Sequence, residues 1–147
     1  MNENRSAADA GRAVHQLDRV DALCLLASVP VGRVVFTRNA LPAIRPVNHL
    51  IEPDGTIIVR TRFAASLTTA LRGDSGLVVA YEADEIDPVR RIGWSVVVTG
   101  IARPVTDAER VAKFERLLRP WVDNITDTVI EIDPTIVRGI RLVEKSK

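Results

Sequence analysis

Residues 92–105, IGWSVVVTGIARPV, are rich in β-branched side chains and interrupted only at Gly100 and Pro104. Such residues suit the pleated surface of a strand. A glycine and a proline late in the run predict a long, bent strand with a bulge near Gly100. Alternation along it sets Trp94, Val96 and Val98 on one face and Ser95, Val97 and Thr99 on the other. Working outward, Gly76–Glu82 (GLVVAYE) reads as the strand before it. Earlier still, Pro42–Ile51 and Thr56–Thr61 read as a hairpin turned by Glu52-Pro53-Asp54-Gly55, and Val31–Thr37 (VGRVVFT) as a short strand. On the other side, Thr106-Asp107-Ala108-Glu109 forms a capping box for a helix carrying Val111, Phe114, Leu117 and Leu118, which Pro120 stops. Val129–Ile132 and Ile140–Val143 complete the strands.

Two further helices are expected. From Val14 to Ala27, apolar residues recur at three- and four-residue steps, with Asp18, Arg19 and Asp21 between them. The run Ala64–Leu71 (AASLTTAL), closed by Gly73 and Gly76, reads as a shorter one. Neither a strict βαβ alternation nor a glycine-rich phosphate loop is present, which excludes a Rossmann or nucleotide-triphosphatase reading. Mainly antiparallel strands with short helices leave edges that closure into a small barrel removes.

The chain has 147 residues, 46% hydrophobic and 27% charged, with 20 Lys+Arg against 19 Asp+Glu. This is the composition of one ordinary globular domain, expected over residues 14–147 behind a flexible lead at 1–13. A net charge of +1 gives no bulk field to draw the molecule onto nucleic acid or an anionic membrane. The uncharged stretch 22–32 contains Pro30 and is shorter than the roughly 20 apolar residues a bilayer core requires, so no membrane insertion is expected. The polar opening MNENRSAADAGR lacks the apolar region of a signal peptide, and a cytoplasmic protein is expected. One cysteine, Cys24, and two histidines, His15 and His49, exclude an internal disulfide and make a metal centre unexpected. Cys24, inside ALCLLA, is expected to be buried and inert, and His49 to be a packed or interfacial histidine.

Five segments in order carry a resemblance: LDRVDALCLLASVPVGRVVFT (17–37), IRPVNH (44–49), VRTRFAASL (59–67), VAYEAD (79–84) and GWSVVVTG (93–100). In register, they resemble the flavin-binding split-barrel family related to pyridoxamine 5′-phosphate oxidase, in its short flavin- or deazaflavin-dependent members. The resemblance implies a six-stranded antiparallel split β-barrel, a homodimer, and FMN or the deazaflavin F420 at the dimer interface.

It also implies where a cofactor would lie. Arg45, Pro46, Val47 and Asn48 correspond to the segment that lines the flavin ring. Pro46 gives no N–H to a ladder, so main-chain groups beside it are suited to a planar ligand. Arg60, Thr61 and Arg62 lead into the short helix, whose N-terminal amides favour a phosphate; Ser66 and Leu67 follow on it. Family members commonly carry a lysine where this chain has Ser66, which donates one hydrogen bond and no charge. Trp94 and Ser95 align with a flavin-touching position, while burial of Trp94 in the core or in a dimer interface needs no cofactor. Arg90 and Arg91 stand before them, within reach of a phosphate or an acidic cofactor tail, or simply solvated. No acid–base pair or nucleophile stands out, as expected where a flavin carries the chemistry. The function implied is an FMN-dependent oxidoreductase passing hydride to or from a small organic substrate. The alternatives are an F420-dependent reductase, a non-catalytic flavin- or haem-binding protein, and a cofactor-free dimer.

Overall fold

The computed structural model describes residues 11–61, 76–119 and 128–145. Their elements are, in chain order, β1 (Arg12–Leu17), α1 (Arg19–Ala27), β2 (Val31–Arg38), β3 (Leu41–Ile51), β4 (Ile57–Thr61), β5 (Leu77–Asp87), β6 (Ile92–Pro104), α2 (Ala108–Leu117), β7 (Thr128–Ile132) and β8 (Ile136–Glu144). One antiparallel sheet runs in the order β1-β8-β6-β5-β2-β3-β4-β7, and a further pairing of β6 with β7 closes it. Six strands thus form a closed barrel, and β8 and β1 extend from β6 as two extra strands.

β6 is the strand that makes closure possible. It pairs with the whole of β5, from Ile92↔Asp87 to Ala102↔Leu77. On its other side it pairs with β8 as far as Thr99↔Ile136 and then with β7 from Ala102↔Ile132. Gly100 stands at the changeover, where a Cβ would overlap the Asp133 carbonyl. The Asp133 amide donates to Ile101 O at 3.0 Å. The glycine therefore admits the β7–β8 connection against β6. The expected bulge is absent, because the β5–β6 register runs through Gly100 without a slip.

Inside the barrel, Val34, Phe36, Val47, Ile57, Val59, Val79, Tyr81, Val96, Val98, Ile130 and Ile132 form one buried cluster, plugged at one end by Ala22 and Leu26 of α1. A second, smaller cluster joins the outer side of β4 to α2 through Ile58, Val105, Phe114, Leu118 and Val129. Alternation is clearest on β4, where Ile57 and Val59 serve the first cluster and Ile58 the second.

Three local expectations change. The segment 12–17 is a strand paired with β8 from Arg12↔Glu144 to Leu17↔Gly139, and the helix begins only at Arg19. Asp18 ends the strand because its carboxylate accepts from Asp21 N at 2.8 Å and so caps the helix. For α2 the cap is Asp107 rather than Thr106, its carboxylate accepting from Glu109 N at 3.1 Å. Cys24 is exposed, since α1 turns Ala22 and Leu26 inward. The helix expected at 64–71 lies outside the described residues.

Candidate functional site

The main chain of β3 has a side without a strand partner among the described residues. β3 pairs with β2 from Leu41 to Asn48, but its ladder with β4 covers only His49↔Val59, Leu50↔Ile58 and Ile51↔Ile57. The His49 amide donates toward β2, to Pro30 O at 3.0 Å. In an antiparallel ladder successive residues turn their polar groups to opposite sides. Ile44, Pro46 and Asn48 therefore turn theirs away from β2. Pro46 offers only a carbonyl there, and Asn48 offers both a donor and an acceptor. A row of main-chain groups with a missing donor at its centre matches the mixed edge of a planar heterocycle.

Side chains around this edge fall on two faces. Ile44, Pro46 and Asn48 stand on the outer face, whereas Val47 and His49 are buried and Arg45 is half-buried on the inner one. Asn48 Nδ2 donates to Arg119 O at 3.2 Å. Arg60 also stands on the outer side, its Nη1 donating to Glu115 O at 3.0 Å and Leu118 O at 2.9 Å. It thus satisfies two carbonyls at the C-terminal end of α2, where a cation is favoured. Asn48 and Arg60 converge on that helix end. Thr61 is buried and pairs with Thr128. Arg62, Ser66 and Leu67 lie outside the described residues.

Trp94 and Ser95 stand apart from this group. Asn48 pairs with Val31, and Ser95 pairs with Asp84, so three strand spacings separate Asn48 from Ser95 across β3, β2, β5 and β6. That is roughly 14 Å. Ser95 faces outward like Asn48, but the Trp94 ring turns inward and packs with the barrel core, 8% exposed.

Behind the β3 edge lies a buried polar contact that composition alone does not disclose. His49 Nε2 meets Leu26 O at 2.7 Å, and Nδ1 meets the Tyr81 hydroxyl. A carbonyl only accepts, so Nε2 carries the proton and Nδ1 accepts from Tyr81. Burial lowers the His49 pKa, with the Leu26 and Val29 carbonyls opposing, and burial raises that of Tyr81. Both groups are therefore held neutral. His49 is a packed histidine, as expected, and joins β3 to α1 and β5.

On the outer face, Arg33 Nη1 lies 3.1 Å from Glu82 Oε2 and 3.6 Å from Asp84 Oδ2. Burial and the neighbouring Asp84 carboxyl push the Glu82 pKa up to about 6. Around this trio the face is open and largely apolar, with Val31, Ile44, Val97, Ile136 and Ile140 all exposed and Arg138 opposite Val97. Among the described residues, no helix is long and apolar enough to cross a membrane, and no cluster of His, Cys, Asp and Glu could hold a metal ion.

Comparisons with known proteins agree with this architecture. The chain is 58% identical over 145 residues to the uncharacterized protein Rv0080 of Mycobacterium tuberculosis, covering 97% of this chain and 95% of that one. A Corynebacterium glutamicum structure assigned to the pyridoxamine 5′-phosphate oxidases superposes with a TM-score of 0.73 at 30% identity, covering 90% of this chain and 100% of that one. The FAD-binding protein of Mycobacterium smegmatis gives a TM-score of 0.62 at 29% identity, covering 88% and 98%. The sequence model described as pyridoxamine 5′-phosphate oxidase matches residues 18–141. With that match spanning most of the barrel, the chain belongs to the pyridoxamine 5′-phosphate oxidase family.

Proposed function

We propose that this chain is a flavin-binding oxidoreductase that works as a homodimer and passes hydride to or from a small organic substrate. The observation that carries this reading is the open edge of β3 at Pro46–Asn48, beside the outward-facing Asn48 and Arg60. The FAD-binding relative at 29% identity supports a flavin as the ligand class. FMN is the ligand proposed, with F420 as the alternative.

In this reading the main chain of Arg45–Asn48 hydrogen-bonds the pyrimidine edge of the ring. Val47 and Arg45, on the inner face, fix the strand that presents those groups. Arg60 and Thr61 begin a phosphate-holding segment that Arg62, Ser66 and Leu67 continue. When bound, the flavin supplies the two-electron chemistry, and the chain's part is to orient the ring and hold its charge. Ser95 is too far from Asn48 to share one ring within a chain, so the partner copy supplies it. Trp94, packed inward, holds β6 so that Ser95 faces out. The exposed apolar residues Val31, Ile44, Val97, Ile136 and Ile140 form the surface that a second copy covers about a two-fold axis.

The test is an absorption spectrum of the purified protein, followed by parallel titration with FMN, FAD, F420 and haem. Saturable FMN binding that Arg60→Ala weakens about tenfold is expected, the loss of one charged hydrogen bond to a phosphate being of that order. Preference for F420 over FMN would select the deazaflavin alternative. Haem binding alone would favour a ligand carrier, and no binding of any of them would leave a cofactor-free dimer.

A further inference from the structure

On the outer face, one row of partners crosses the sheet as Pro46↔Arg33 between β3 and β2, Arg33↔Glu82 between β2 and β5, Glu82↔Val97 between β5 and β6, and Val97↔Arg138 between β6 and β8. Two residues along each strand, the neighbouring row holds Asn48↔Val31 and Asp84↔Ser95. Side chains two apart share a face, so both rows point outward. Asn48 on β3 and Ser95 on β6 therefore stand one and a half strand spacings to either side of the seam between β2 and β5, roughly 7 Å each. Arg33 and Glu82 flank that seam, with Asp84 beside Glu82.

A ring shared between two copies fixes how these faces meet. If the partner's Ser95 lies over Asn48, the two-fold axis runs parallel to the strands and midway between β3 and β6. That line is the β2–β5 seam. Arg33 then faces the partner's Glu82, so each guanidinium gains a second carboxylate. The charges nevertheless do not balance. One copy sets Arg33 Nη1 3.1 Å from Glu82 Oε2 and 3.6 Å from Asp84 Oδ2, and two copies bring two cations to four carboxyls. Among the described residues, no other ionisable side chain of the copy's own face adjoins Glu82. Its outward neighbours are Arg33 on β2, Asp84 on β5 and Val97 on β6, with Pro46 of β3 beyond Arg33, and Arg138 of β8 lies beyond Val97, roughly 10 Å away. Covering the cluster takes it out of water, which disfavours its surplus negative charge. In a single copy, burial and Asp84 already push the Glu82 pKa up to about 6, against the pull of Arg33.

We infer that the Arg33–Glu82–Asp84 trio lies on the two-fold axis of the dimer, each Arg33 held between the Glu82 carboxyls of both copies, and that assembly takes up a proton on the Glu82–Asp84 pair of each copy. The inference rests on the shared flavin site of the proposed function and adds what sets the register of the two copies. The dimer keeps its protons to a higher pH than the free copies do. Above about pH 6 a free copy loses the proton that the dimer retains, so the dissociation constant rises with pH, by up to about tenfold per pH unit for each proton taken up. His49 does not enter this window, because it is buried on the inner face with its pKa below 6.5.

The experiment is sedimentation of the full chain between roughly pH 5.5 and 8.5, on the parent and on three variants. The parent is expected to be a dimer that loosens by about tenfold or more across that range, and Glu82→Gln a dimer without that dependence. Arg33→Glu leaves only carboxyls at the seam and Glu82→Arg sets two cations beside Asp84, so each alone is expected to be monomeric. Mixed, they should form a one-to-one heterodimer, because each substituted side chain then meets an opposite charge on the other copy. A role confined to one chain would not be rescued by mixing. Circular dichroism verifies that the variants fold, and the pH profiles of the parent and Glu82→Gln decide the matter if a charge reversal does not. A dimeric parent whose dissociation ignores pH would overturn the inference and leave the dimer standing. So would charge-reversal variants that each dimerise alone, or folded ones that stay monomeric when mixed. A parent that is monomeric throughout would overturn the shared flavin site itself, and the inference with it.

Discussion

At Gly32 the backbone of β2 passes so close to β5 that any side chain would strike the Tyr81 hydroxyl and ring, with Cζ 2.5 Å and the Glu82 carbonyl 2.7 Å from a Cβ. The space is needed because Tyr81, fully buried, must reach His49. Gly32→Ala is therefore expected to destabilise the fold by about 1–3 kcal/mol, the range for overpacking a core. Urea unfolding would measure it, and the near-ultraviolet circular dichroism of Tyr81 should change with it. His49 gives a pH prediction. Its folded pKa lies below the ordinary 6.5, so as pH falls below 6.5 the unfolded chain takes a proton that the folded chain resists. The His49 contribution is complete above pH 6.5 and is lost on acidification. Glu82 has the opposite sign. Its carboxyl, raised from 4.5 to about 6, favours the fold most below pH 4.5 and loses that contribution as pH rises through 6. Unfolding of Glu82→Gln across pH 4–7 should show a steeper gain of stability with pH than the parent, because the opposing term is removed. None of this polar contact was legible in the sequence beyond the expectation that His49 is packed. Its partners come from α1 and β5, and no spacing connects them.

Among the elements, the strands of the barrel were legible because alternation and valine content report a half-buried sheet directly, as β2, β3 and β6 show. The helix α1 was legible too, but its start was misplaced. Val14 and Leu17 fit a three-residue step as well as an edge strand, and the stop at Asp18 depends on one capping hydrogen bond. Cys24 was misread for a related reason. In ALCLLA nearly every residue is apolar, so periodicity cannot say which side faces the barrel, and only the packing of Ala22 and Leu26 decides it. The turn between β2 and β3 carries its own prediction. Asn39 and Ala40 adopt φ of 51° and 63°, the left-handed values that a two-residue hairpin demands. Ala40 pays a steric cost there that glycine avoids, partly offset by the greater freedom of an unfolded glycine. Ala40→Gly should thus stabilise the protein by about 0.5–1 kcal/mol, read as a higher urea midpoint with an unchanged slope.

For the whole molecule, closure of β6 onto β7 completes the six-stranded barrel but leaves the outer face of β2, β5, β6 and β8 open, largely apolar and centred on the Arg33–Glu82–Asp84 trio. That face and the open β3 edge are the two features a single copy leaves unfinished. The segment Arg45–Asn48, proposed to line the ring, was singled out by its resemblance to a family pattern and by the proline in a strand. The division of candidates between two faces was not, because it depends on the order β3-β2-β5-β6, which the chain order does not reveal. In the proposed function a flavin binds where two copies meet. The measurement that tests it most directly is an FMN fluorescence titration with light scattering, on the parent and on Val97→Glu, which places a charge in the middle of the apolar face. The expected result is a dimeric parent that quenches one FMN per chain and a monomeric variant whose quenching is lost. A parent that binds no flavin, or a monomeric variant that binds FMN as tightly as the parent, would contradict it.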